Sequence, residues 1–184
     1  MIYKGFRPVY WSPSNQTALA EAELEYPENH ISKSIFVPFT MRPKEASIEN
    51  DLTKKYKEIS CLIWTTTPWT IVSNQVWNFI SKILIFSKAV CYNENIDYSV
   101  IEYKNEHFIV ANALLEDVSK QLPNLKVLES FKGSLLSQYT CDHPLYNRES
   151  ILVHGDHVTT LAGTGLVHTA PGHVLTTKFF FYIF

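Results

Sequence analysis

Strand signals dominate this chain, as short apolar runs bounded by turn residues and in places as apolar–polar alternation with period two. The segment Ala20-Glu-Ala-Glu-Leu-Glu-Tyr26 is the sharpest instance. Its residue types favour helix, because Ala, Glu and Leu are strong helix formers. Its strict alternation favours an extended strand with one wet face, and the pattern predicts a strand here. Lys33 to Phe39 reads as a second strand, ended by Pro38 and the polar stretch beyond it. Ser60 to Thr66 is predicted to be a buried strand. Ile83 to Tyr92, Tyr98 to Tyr103 and His107 to Ala111 come next, separated by Asn-bearing turns at 93–95 and Lys-Asn at 104–105. Asn112 is placed to cap a short helix whose apolar residues Leu114, Leu115, Val118 and Leu122 have helical spacing, and Pro123 stops it. Strands resume at Leu125 to Phe131, Ser150 to His154 and Gly165 to Thr169. Many short strands with one or two short helices predict an α+β, β-rich domain built as a barrel, and nothing suggests an alternating βαβ sheet.

Composition narrows the function classes. The 184 residues suit one domain with a small appendage, and 46% hydrophobic content supplies a real core. Lys and Arg total 16 against 18 Asp and Glu, so no global basic field draws in nucleic acid; any such contact is local. No run of about 18 apolar residues is present, so neither a membrane-spanning helix nor a membrane partner is expected. No targeting peptide is read at the N-terminus. Cys61, Cys91 and Cys141 lie far apart with no CxxC pair, which fits reduced, buried thiols. The pairs His154/His157 and His168/His173 are the nearest approach to metal-ligand spacing, but neither is flanked by Cys, and no metal site is expected.

Two segments carry candidate chemistry. In Ile63-Trp-Thr-Thr-Thr-Pro-Trp-Thr-Ile-Val-Ser-Asn74, three threonines end a buried strand and Pro68 comes directly after. Thr67 suits an N-cap and Pro68 a first helical position, so hydroxyls and free backbone N–H groups converge on one spot. In Ala162-Gly-Thr-Gly-Leu-Val-His-Thr-Ala-Pro-Gly-His173, Gly163 and Gly165 permit close backbone approach, and His168 sits near a strand end. Each segment alone also has an ordinary structural explanation. Threonine is common in strands, Thr-Pro is a common cap, Gly-x-Gly is weak as a motif, and a single histidine often serves the core.

Together the two segments resemble the editing domain of the large class I aminoacyl-tRNA synthetases for Ile, Val and Leu. The Trp64-Thr-Thr-Thr-Pro-Trp-Thr70 run with Asn74 is similar to that family's threonine-rich motif, and Gly163 to His173 to its glycine-rich partner. Pro8 to Tyr26 is similar to the ribbon leading into this domain in isoleucyl-tRNA synthetases of the bacterial and mitochondrial type, and Gly155-Asp-His-Val-Thr159 also fits. The resemblance covers residues 4 to 173. It implies a leading ribbon over 1–40, an editing domain over 41–173 and a non-matching Phe-rich tail over 174–184. It also implies a function. One methylene in an apolar pocket is worth only about 1–3 kcal/mol, isoleucine against valine being the standard case of this limit, so a second site hydrolyses the wrong ester. By position, Thr65, Thr66 and Thr67 are then the catalytic wall that orients ester and water. Trp69, Thr70, Asn74, Gly165 and His168 are the substrate-binding residues. Thr70 and Asn74 support the wall or meet the terminal adenosine, Trp69 helps form the pocket, and His168 is the steric gate against an isoleucine side chain. The implied partners are the 3′ end of aminoacylated tRNA(Ile) and the remainder of a synthetase, in the mitochondrial matrix or the cytoplasm.

The departures from the family pattern carry expectations of their own. After His173 the family continues to a pair of acidic residues, one of which grips the substrate's α-ammonium group, whereas Thr176 and Thr177 stand there in this sequence. A hydroxyl lacks the charge of that carboxylate, so a weak or inactive deacylase is expected. The Phe-rich tail is expected to come from an unspliced intron or a shifted frame. The family's ATP- and Mg-dependent chemistry resides on a Rossmann domain with HIGH-like and KMSKS-like motifs, neither of which occurs here, so no cofactor is expected in this chain and it reads as a piece of a synthetase. A non-catalytic module binding aminoacyl-adenosine, and a truncated chain with no independent role, are the competing readings.

Overall fold

The computed structural model describes residues 9–29, 31, 33–46, 51–74, 76–80, 83–87 and 89–170, the side chains within 76–87 excepted. The chain divides into two compact units between Lys33 and Ser34. In the first, β1 (Tyr10–Ser12) and β2 (Thr17–Leu19) form an antiparallel hairpin with Tyr10 opposite Leu19. The strand predicted over 20–26 is not there. Glu21–Glu23 form a 3₁₀ turn instead, and the Glu23 carboxylate accepts the Ala20 N–H at 2.7 Å. A local side-chain cap and high helix propensity outweigh alternation where no neighbouring strand offers a ladder.

The second unit contains β3 (Ile35–Pro43), α1 (Leu52–Lys55), β4 (Ile59–Thr65), a 3₁₀ helix (Pro68–Ser73), β5 (Val76–Ile80), β6 (Ile83–Ser87), β7 (Ala89–Tyr92), β8 (Asp97–Tyr103) and β9 (Glu106–Ala111). It continues through a 3₁₀ turn (Asn112–Leu114), α2 (Leu115–Gln121), β10 (Lys126–Lys132), a second 3₁₀ helix (Gly133–Gln138), β11 (Tyr139–Asp142), β12 (Glu149–His154) and β13 (Val167–His168). Nine strands form one mixed sheet in the order β10-β8-β9-β4-β3-β11-β12-β7-β13, and β5 and β6 pair apart from it. The protein is therefore β-rich α+β, with few and short helices.

Three local expectations are revised. Pro38 does not end β3, which runs on to Pro43; β11 pairs with β3 only from Met41 onward, so Pro38 sits where one side of the strand is unpaired and its missing N–H costs no ladder bond. The apolar run 83–92 hides a change of partner, since β6 pairs with β5 while β7 pairs with β12 and β13. Asn112 opens a 3₁₀ turn rather than capping α2, and its Oδ1 accepts the Ser99 hydroxyl at 2.6 Å.

The core is built from β4, β8 and β9, where Ile59, Cys61, Ile63, Val100, Ile101, Ile109 and Val110 are essentially inaccessible. All three cysteines are free and buried. The sheet curls so that its last strand returns towards its middle. Thr164 O accepts the Ala111 N–H at 2.8 Å, and Gly165 O accepts the Tyr98 hydroxyl at 2.7 Å. Gly165 has φ +75°, and a Cβ there would lie 2.3 Å from the Ala111 Cβ, so only glycine permits this closure.

Candidate functional site

The curl sets β13 against the end of β4. The threonines close β4 because β-branched residues suit a strand, and Pro68 then fixes the first position of the 3₁₀ helix. Thr65 is buried, and its Oγ1 accepts the Thr67 N–H at 3.1 Å, a local bond that turns the chain out of the strand. Its hydroxyl lies 3.3 Å from that of Thr67. The Thr70 hydroxyl donates to Thr67 O at 2.7 Å, closing the first turn of the helix together with the Thr70 N–H.

His168 completes the cluster. Its Nε2 lies 2.9 Å from Thr70 Oγ1 and its Nδ1 3.5 Å from Asn74 Nδ2. Because the Thr70 proton is committed to Thr67 O, Thr70 Oγ1 accepts from His168 Nε2–H. The Asn74 amide, acting only as a donor on this side, then faces an unprotonated Nδ1. The network thus assigns a neutral Nε2–H imidazole. With both nitrogens turned to protein groups, the ring is held in place.

Asn74 is fully buried. Its Nδ2 donates to Ala89 O at 2.7 Å, and its Oδ1 accepts the Ser150 hydroxyl at 3.0 Å. Of the two roles implied for Asn74, this environment suits support of the wall. Thr66 and Thr67 are exposed as residues, and the Thr67 hydroxyl lies between those of Thr65 and Thr70 at 3.3 and 3.5 Å. Trp69 is 66% exposed and stands outside the cluster around His168. Gly165 is buried against Ala111, where its lack of a side chain serves packing. Hydrogen bonds therefore join Thr65, Thr67, Thr70, Asn74 and His168; Thr66, next to Thr65 and Thr67 in the chain, and Trp69 are exposed outside those bonds, and Gly165 packs on Ala111.

No activated nucleophile accompanies the hydroxyls among the described residues. The neighbouring Cys91 thiol lies 3.1 Å from Thr169 Oγ1; burial raises its pKa and the Thr169 contact lowers it, with burial winning. It stays a neutral thiol. No group of three or more His, Cys, Asp or Glu that could hold a metal occurs among the described residues. The cluster can orient a polar substrate and a water by hydrogen bonding, and wall off one side of a binding site.

Sequence reasoning missed the residues that hold the 3₁₀ helix in place. His143 Nε2 lies 2.9 Å from Ile71 O, and Arg148 Nη2 donates to Val72 O at 2.8 Å. Only the histidine and arginine in the turn between two strands hinted at this, and neither has a spacing that names a partner. The acidic-pair positions Thr176 and Thr177, with the rest of the predicted tail, lie outside the described residues.

Residues 1–142 match the family described as tRNA synthetases class I (I, L, M and V). A Dictyostelium discoideum protein named "Probable isoleucine--tRNA ligase, mitochondrial" is 46% identical over 94% of this chain and 17% of its own length. The isoleucine–tRNA ligase of Acaryochloris marina is also 46% identical, over 94% of this chain and 16% of its own. The chain thus spans about a sixth of the curated relatives it matches. Among solved structures, the fold is similar to one titled "The crystal structure of GlLeuRS-CP1", with TM-score 0.52 and 15% identity over 73% of this chain and 54% of that one. It is similar too to the Plasmodium knowlesi cytosolic leucyl-tRNA synthetase editing domain, with TM-score 0.51 and 12% identity over 78% of this chain and 60% of that one. The chain belongs to the class I tRNA synthetases of the I, L, M and V group, and its fold is similar to that of leucyl-tRNA synthetase editing domains.

Proposed function

We propose that this chain carries the editing site of an isoleucine-specific synthetase, and that its substrate is valine esterified to the 3′-terminal adenosine of tRNA(Ile). What supports the reading is the 2.9 Å contact between Thr70 Oγ1 and His168 Nε2, which brings the two motifs to one spot. Water adds to the ester carbonyl, the acyl–oxygen bond to the ribose breaks, and valine and the ribose hydroxyl depart. The hydroxyls of the exposed residues Thr66 and Thr67 orient the ester and the attacking water. Thr65 and Thr70 hold that wall, and the fixed imidazole of His168 leaves room for valine and none for the extra methylene of isoleucine. Preorganised hydroxyls cost no reorganisation as charge develops on the carbonyl oxygen. The protein acts where isoleucyl-tRNA is made, in the mitochondrial matrix or the cytoplasm.

The residues beyond His173 set the rate. With Thr176 and Thr177 standing where the family has its acidic pair, the ammonium group of valine lacks its charged partner. That loss costs about 2–4 kcal/mol of transition-state stabilisation, roughly two to three decades in rate. Single-turnover hydrolysis of Val-tRNA(Ile) by this chain and by Thr177→Asp tests both points. Slow turnover that rises by about two decades in the variant supports the reading. Hydrolysis at the uncatalysed rate in both proteins refutes the site, and fast hydrolysis without the acid refutes the role given to it.

A further inference from the structure

The hairpin formed by β11 and β12 touches the threonine-bearing 3₁₀ helix at three places, all on its C-terminal half. His143 is buried, and its Nδ1 accepts the Leu145 N–H at 3.1 Å, which puts the ring proton on Nε2, 2.9 Å from Ile71 O and 3.1 Å from Arg148 Nη2. Arg148 donates to Val72 O at 2.8 Å, its guanidinium lying over the Tyr146 ring with 4.8 Å to the centroid. Ser150 donates to Asn74 Oδ1 at 3.0 Å. The last carbonyls of a short helix have no partners within it, and six residues of 3₁₀ geometry hold themselves poorly. The hairpin adds a second donor to Ile71 O, which already takes the Asn74 N–H, and supplies one to Val72 O. The His143 ring is itself fixed, edge-on to Phe39 at 5.9 Å between centroids and beside Tyr146 at 5.2 Å.

We infer that His143 and Arg148 are positioning residues. They clamp the backbone at Ile71 and Val72 so that Thr70 and Asn74, on either side, meet His168 in register. The clamp stands on geometry alone; its consequence for hydrolysis rests on the editing-site reading above. Loss of a clamp bond lets the helix fray from its C-terminal end. Asn74, whose N–H donates to Ile71 O at 3.0 Å, keeps its side-chain bonds to Ala89 and Ser150, but its N–H loses protection and its contact with His168 loosens.

The test uses amide exchange and histidine ring resonances in the 184-residue chain, readouts that need no hydrolysis. In His143→Ala and in Arg148→Ala, exchange at Asn74 and Thr70 is expected to speed up by about fivefold, the equivalent of one net hydrogen bond. The His168 Nε2–H resonance should weaken, while Val100 and Ile109 exchange as before. His143→Gln, which keeps a donor, is expected to recover most of the protection. Unchanged exchange at Asn74 in the double variant would overturn the inference. So would equal acceleration across β8 and β9, which marks a general loss of packing. A chain that shows the clamp but hydrolyses no ester would leave this inference standing and remove the proposed function.

Discussion

The imidazole of His168 is held at two points, by a threonine that has already given its proton away and by a buried amide that can only donate towards it. Such a ring has little freedom, as the gate role proposed for it requires. A second single-residue device is Tyr98. Burial pushes its phenol up to about 12, so it remains protonated across the working range and ties Gly165 O to the Asn93 N–H through one oxygen. Tyr98→Phe leaves a buried carbonyl and a part-buried N–H without that oxygen, and should cost about 1–3 kcal/mol in denaturant unfolding. A cost below a few tenths would show that water replaces the hydroxyl. At this scale the sequence was informative about residue types and silent about partners. Thr65, Thr67, Thr70 and His168 stand out by motif, whereas His143, Arg148 and Ser150 act through carbonyl and amide groups that no pattern of side chains reveals.

Among the elements, α1 shows how much a very short helix depends on its cap. Asp51 Oδ1 accepts both the N–H and the hydroxyl of Thr53, at 2.9 and 2.7 Å. Burial by itself raises the Asp51 pKa, but the hydrogen bonds from Thr53, with Lys54 and Tyr139 in support, outweigh it and the carboxyl titrates below its ordinary 3.8. A lowered folded value means that the stabilisation is complete above the ordinary value and fades as pH falls through the lowered one. Asp51→Ala should therefore cost about 1–2 kcal/mol near neutral pH, and the gap between variant and wild type should narrow once the pH drops below 3.8. A gap of the same size on both sides would contradict the cap. Elements were legible in the sequence where packing and pattern agreed, as for Ile59–Thr65, Asp97–Tyr103 and Glu106–Ala111. They were misread where a local bond decided the backbone, as at Glu21–Glu23, or where the missing neighbour mattered more than the residue, as at Pro38.

For the whole molecule, the proposed site rests on the curl of the nine-stranded sheet, which unites residues about a hundred positions apart. Its fold class could be read from strand count and turn spacing. The closure could not, because it depends on a glycine against Ala111 and a tyrosine hydroxyl against a backbone carbonyl. At this scale the comparisons give the synthetase family and a fold similar to leucyl-tRNA synthetase editing domains. The most direct test is the ratio of hydrolysis rates for Val-tRNA(Ile) and Ile-tRNA(Ile), measured in Thr177→Asp with and without His168→Ala. A wall at His168 predicts preference for the valyl ester, falling by about tenfold or more when the imidazole is removed, within the range of one methylene. Equal selectivity in the two proteins would contradict the account.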